Sequence, residues 1–143
     1  LGGVIYKVTT PWDIRFIEIE GHDYDLNNIE HDILRERWQD ARVHCAVNCA
    51  SISCPELLNE AFAAETLEDQ LTQVTRDFLS DEKRNNLDAN PPRISRIFKW
   101  FGSDFKTSEG SLWEFINKYS DQTFTDSTQF QFLEYNWRLN DQY

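Results

Sequence analysis

The sequence predicts an α+β fold, a small antiparallel sheet with helices packed against it. Three observations lead there. Short runs alternate apolar and polar residues, longer runs carry apolar residues at helical spacing, and the two interleave without the regular rhythm of a doubly wound sheet. Of 143 residues 40% are hydrophobic, with ten Phe, five Trp and five Tyr. Each aromatic can bury roughly 150–250 Å², so there is material for a core, and this length defaults to a single domain over residues 1–143.

Val4-Ile5-Tyr6-Lys7-Val8 has the β-branched and aromatic content of a strand. Residues 14–25 read as a β-hairpin: Arg15 to Glu20 alternates, Gly21-His22-Asp23 turns, and Tyr24-Asp25 returns. Asp25 to Asn28 is rich in N-cap residues. It leads into a helix with Ile29, Ile33, Leu34 and Trp38 on one face, acidic residues early, and Arg35 and Arg37 late. Arg42 to Asn48 alternates like a strand, with Val43, Cys45 and Val47 on one side.

Pro55 suits the first position of a short helix over Glu56-Leu57-Leu58-Asn59. Thr66-Leu67-Glu68-Asp69 matches a capping box, opening a helix to about Leu79 with Leu67, Leu71, Val74, Phe78 and Leu79 as its stripe. Residues 85–92 form a polar loop with room for one short strand. Ser95 to Phe101 reads as a short helix ended by Gly102. Ser111-Leu112-Trp113-Glu114 is a second capping box, starting a helix to about Tyr119. Leu133, Tyr135, Trp137 and Leu139 alternate with polar residues, as in a half-buried strand with Trp137 in the core.

The net charge of −11 disfavours nucleic acid, because nine Arg and five Lys are scattered among 25 acidic residues. An acidic, solvated surface follows. No apolar run reaches the ~18–20 residues of a membrane span. The chain opens Leu1-Gly2-Gly3 and contains no Met, which reads as a processed or truncated product with part of the domain upstream.

Chemistry concentrates at His44 to Pro55, which holds all three cysteines, Cys45, Cys49 and Cys54, beside His44. Four readings stay open. Cys49 and Cys54, with four residues between them, can close a disulfide, leaving Cys45 as a small buried hydrophobe. Alternatively Cys54, ahead of a helix, or Cys49 is a nucleophile with His44 as base. Asn136, Asn140 or Glu30 would then orient the imidazole. His44, Cys49 and Cys54, joined by His31, could ligate a metal, but the paired cysteine spacing of structural zinc is missing. Lastly, the thiols are inert and His44 is a satisfied buried residue. No cofactor is expected. His22, in the hairpin turn, is expected in solvent, as is the polar face of Asn136, Arg138 and Asn140.

Several ordered blocks carry a resemblance: Tyr24 to Arg35, Arg42 to Pro55, Arg76-Asp77-Phe78-Leu79, Ser95 to Trp100, and Tyr135 to Asn140. Together they resemble the family known as domain of unknown function 547. The resemblance implies a periplasmic or secreted location, a setting that suits a disulfide, and a papain-like or transglutaminase-like fold. It pairs His44 with Cys49 and Cys54, whereas Cys45 stands where the family has an aromatic. Asn136 replaces an Asp and Arg138 a Ser. An upstream block resembling FWINxYNA, usual in the family, is absent. The expected activity is a thiol-dependent hydrolase or acyltransferase acting on an amide-like bond. The alternative is a non-catalytic binding or structural domain with a Cys49–Cys54 disulfide. A peptide-like or protein ligand suits either.

Overall fold

A computed structural model describes residues 10–141; the strand expected at 4–8 lies outside the described residues. The chain forms two compact units, Leu1–Gln39 and Asp40–Tyr143.

In the first unit Pro11–Asp13 forms a 3-10 turn, with the Thr10 amide and hydroxyl both donating to Asp13 Oδ2 at 2.8 Å. The expected hairpin is present: β1 (Ile17–Ile19) pairs antiparallel with β2 (His22–Tyr24). Its turn sits at Glu20-Gly21, where φ is 52° and 77°. Two successive positive-φ residues are what a tight two-residue hairpin turn requires. Asp25 is buried and accepts the Asn28 amide at 2.8 Å, capping the chain's entry into the next helix.

That helix, Asn28–Trp38, is of π type and ends at Gln39 with left-handed backbone. Its place was legible from the apolar spacing; its winding was not. Ile29, Ile33 and Leu34 are half-buried and Trp38 is 64% exposed, so the expected inward stripe is only partly covered. Spacing shows which residues share a face, not whether another element lies over it.

The second unit holds an aromatic core built mainly by helices. α1 (Val43–Ala46) stands where a strand was expected, and His44, Cys45 and Ala46 are all buried. Alternation over so short a run fits a single helical turn enclosed on several sides equally well. Glu56 to Asn59 is irregular, not helical. Four residues without an N-cap cannot offset helix nucleation, and the Pro55 carbonyl is taken by the Asn48 side-chain amide at 2.7 Å.

α2 (Leu67–Ser80) buries Gln70, Val74, Thr75, Phe78 and Leu79. Its capping box does not form, because the Thr66 hydroxyl donates instead to Gln70 Oε1 at 3.1 Å. β3 (Arg93–Ile94) pairs in parallel with β4 (Gln131–Phe132), so the small sheets are one antiparallel hairpin and one parallel pair. α3 (Ile97–Trp100) is followed at once by α4 (Gly102–Glu109). Gly102 opens this second helix and does not end a single one; the left-handed glycine terminator is Gly110, with φ 87°.

α5 (Leu112–Tyr119) starts with half of the predicted capping box: the Glu114 amide donates to Ser111 Oγ at 3.1 Å, but Glu114 Oε2 accepts the Ser111 hydroxyl at 2.8 Å, not the Ser111 amide. Phe78, Phe98, Phe105, Phe115 and Ile116 interlock at the centre with Cys45 and Ile94. The Phe105 ring lies 4.9 Å from Phe98 and 4.7 Å from Phe115. Residues 133–140 form no strand beyond a bridge between Ser51 and Leu139. Trp137 and Leu139 are each 66% exposed, which removes Trp137 from the core. The segment lies along a surface loop, so its apolar face is covered only at Leu133 and Tyr135, with Tyr135 packed against the core.

Candidate functional site

His44 is 2% exposed and sits on α1. Its Nε2 meets Asp104 Oδ2 at 2.8 Å, and its ring stacks on Phe101 at 4.0 Å between centroids, 14° from parallel. Phe105 closes from another side at 5.6 Å. Phe101, Asp104 and Phe105 recur at helical spacing, so one face of α4 and its entry residue supply all three. The carboxylate on His44 Nε2 is that of Asp104, a residue not among the expected Asn136, Asn140 and Glu30. Finding it from sequence required recognising α4, which the single-helix reading across 95–101 concealed.

Cys45 is fully buried, and burial pushes its thiol up to about 12, with Thr75 opposing. Such a thiol is inert at neutral pH. Cys49 and Cys54 lie at disulfide-bonding distance with their Cα atoms 6.2 Å apart. The Cys45 site is separate from this pair. Cys49 is exposed, whereas Cys54 is 1% exposed. With no helix after Pro55, the helix N-terminus that would have activated Cys54 does not exist.

Hydrogen-bond donors gather at the buried sulfur. Cys54 Sγ receives the Cys49 amide at 3.0 Å and the Ser51 hydroxyl at 3.2 Å, and the Tyr135 hydroxyl lies 3.1 Å away. Tyr135 also reaches Cys49 Sγ at 3.3 Å and Ser51 Oγ at 2.9 Å. Burial raises the Tyr135 phenol above its ordinary value, against the opposing Ser51 hydrogen bond, so the group keeps its proton.

Residues 136–140 run along the 50–53 loop. Ile52 N donates to Arg138 O at 2.9 Å, Asn140 N to Ala50 O at 3.0 Å, and Asn136 N to Ser53 Oγ at 2.9 Å. Asn136 and Asn140 thus reach the cysteine loop, but their side chains serve the backbone and Asn48: Asn136 Oδ1 accepts Arg138 N at 3.1 Å, and Asn140 Nδ2 donates to Asn48 Oδ1 at 3.3 Å. Both are exposed, as is Arg138. Ala50, inside the loop, has left-handed backbone at φ 61°. Beside it Trp100 and Trp137 stack at 5.4 Å, with Tyr135 4.8 and 4.5 Å from them.

Glu30 and His31 lie on the π helix, His31 against Arg35 at 3.0 Å, and His22 is exposed in β2. Among the described residues no three His, Cys, Asp or Glu gather as a metal site, and no helix is long and apolar enough to cross a membrane. Two surface hollows, of about 420 and 320 Å³, are lined from α2 and its flanking loops, the larger also from Tyr119 at the end of α5 to Gln122, and neither lining includes His44, Cys49 or Cys54.

The family described as protein of unknown function, DUF547, matches residues 4–79. The chain belongs to this family. The DUF547 match takes in His44 and all three cysteines, whereas Asp104, Tyr135 and the paired 136–140 segment lie beyond it. No curated protein matches this DUF547 chain, and no solved structure does.

Proposed function

We propose that this DUF547 domain is an exported, non-catalytic binding domain for a peptide or protein ligand. One observation carries the reading: the two sulfurs available as nucleophiles face each other at bonding distance. A disulfide there staples the loop against which residues 136–140 lie. The stapled surface displays Trp100, 43% exposed, and Trp137, 66% exposed. Large aromatics held rigid in solvent bring contact area at low entropic cost, and such residues dominate binding hot spots. Periplasmic or secreted placement is part of the proposal, because disulfides persist in oxidising compartments.

Alkylation of the folded, non-reduced protein with iodoacetamide tests it. A cross-linked Cys49–Cys54 peptide and no label are expected, with Cys45 labelled only after denaturation. Label on both Cys49 and Cys54 would overturn the staple. Peptides selected from a random library should then lose at least about tenfold in affinity, ~1.4 kcal/mol, for Trp137→Ala. Unchanged binding excludes the aromatic surface.

A second reading has the His44–Asp104 pair in its favour, since a base held by a carboxylate is the arrangement of cysteine hydrolases. In it, reduced Cys49 or Cys54 attacks an amide-like bond, His44 moves the proton, and Asp104 orients the ring. Turnover of amide or ester substrates only after reduction, lost in His44→Ala, would select it.

A further inference from the structure

We propose that Cys49–Cys54 is an exchange-active disulfide, opened by an external thiolate at Cys49 with Cys54 leaving as the thiolate. The inference rests on the staple reading and goes beyond it, assigning the pair a reaction with small thiols or reduced protein dithiols. Two asymmetries carry it.

The first is access. Cys49 is exposed and Cys54 is 1% exposed, so an incoming sulfur meets Cys49. The second is stabilisation of the leaving group. Exchange is faster when the departing sulfur is a better thiolate, and hydrogen bonds to the charged form favour it. Three donors converge on Cys54 Sγ: the Cys49 amide, the Ser51 hydroxyl and the Tyr135 hydroxyl, at 3.0, 3.2 and 3.1 Å. The two hydroxyls also lie 3.4 and 3.3 Å from Cys49 Sγ, so the asymmetry rests on the amide and on the shorter hydroxyl distances to Cys54. Each brings its own hydrogen, so all three can point at a thiolate simultaneously. In the closed state the Ser51 and Tyr135 hydroxyls also bond each other at 2.9 Å, and opening needs only that they turn. A purely structural staple is better served by two buried, apolar-packed sulfurs.

The step balances. A thiolate attacks Cys49 Sγ, a new S–S bond forms, the Cys49–Cys54 bond breaks, and its electron pair leaves on Cys54. A second external thiolate then attacks the mixed disulfide at the external sulfur, releasing Cys49 as a thiolate. The protein gains two electrons and two external thiols become one disulfide.

The test treats the full oxidised chain with glutathione, quenches with N-ethylmaleimide, and maps the products by mass spectrometry. Glutathione on Cys49 with N-ethylmaleimide on Cys54 is expected. Tyr135→Phe and Ser51→Ala, each removing one donor, should slow opening by roughly three- to tenfold. Ser53→Ala removes a hydrogen bond of the same paired segments, to Asn136 N at 2.9 Å, without touching either sulfur. It should open as fast as wild type or faster, which separates loosening of the loop from loss of the donors. Glutathione on Cys54, a disulfide that resists glutathione, or donor variants that open at the wild-type rate would overturn the proposal. Two alkylatable thiols before any glutathione is added would overturn the staple reading as well, whereas a closed, resistant disulfide sinks this inference alone.

Discussion

Replacing Asp104 with Ala removes the carboxylate that meets His44 Nε2 at 2.8 Å. The His44 side chain is 1% exposed and that of Asp104 24%, so solvent replaces the lost contact poorly. A hydrogen bond to a charged group contributes about 1.5–3 kcal/mol. For a chain of this size each kcal/mol moves the melting temperature by about 2–4 °C, which gives a fall of roughly 3–12 °C. Part of that loss will come from packing on α4, so the decisive measurement is a double-mutant cycle with His44→Phe, which keeps the stack on Phe101. If the two groups act as a pair, urea-unfolding free energies will show a coupling of at least about 1 kcal/mol. Additivity within ~0.5 kcal/mol would refute the reasoning and make the short Nε2–Oδ2 distance an energetic bystander.

Arg42 bonds Asp40 at 2.6 Å and Glu68 at 2.5 Å. Burial pushes the Asp40 carboxyl up, but hydrogen bonds from the Arg42 side chain and backbone outweigh it and hold it below 3.8. The bond from Arg42 holds Glu68 below 4.5. Both folded values are depressed, so this stability is present above the unfolded values and lost as pH falls through the folded ones. Stability of Arg42→Leu should therefore depend less on pH below about pH 4.5 than that of wild type, and equal slopes in urea titrations would count against the pairing. Gly110→Ala should cost about 1–2 kcal/mol, because φ is 87° and the added Cβ would stand 2.8 Å from Glu114 Oε2, pushing that carboxylate off Ser111. An unchanged melting temperature would show that the cap can be rebuilt without loss.

Much of the local structure was legible. The hairpin, the helix beginning at Asn28, α2 and α5 each carried a periodic run or a start signal of their own. The errors share a cause, which is that a short apolar run does not declare its partners. Arg42 to Asn48 reads as a strand because nothing in so short a run separates one enclosed helical turn, Val43–Ala46, from alternation. Gly102 read as a terminator because glycine marks either side of a helix boundary, and that choice hid α4 and Asp104 with it. The Cys49–Cys54 pairing was visible in the spacing as one of several options. The donors around Cys54 were not, since Tyr135 reaches them across 81 residues of chain.

That last separation has a consequence for how the molecule is made. The 50–53 loop takes its distant backbone partners from residues 136–140, and Asn140 meets Asn48 across 92 positions. Contacts so distant are paid for in closure entropy before they return anything. The aromatic rings of α3 to α5 lie close together in sequence, so Phe98, Phe105 and Phe115 can gather while the cysteine loop is still without its partner segment. The chemically distinctive part of the chain is then the last to be set. A ribosome must deliver 81 residues beyond Cys54 before Tyr135 can place its hydroxyl on the sulfurs.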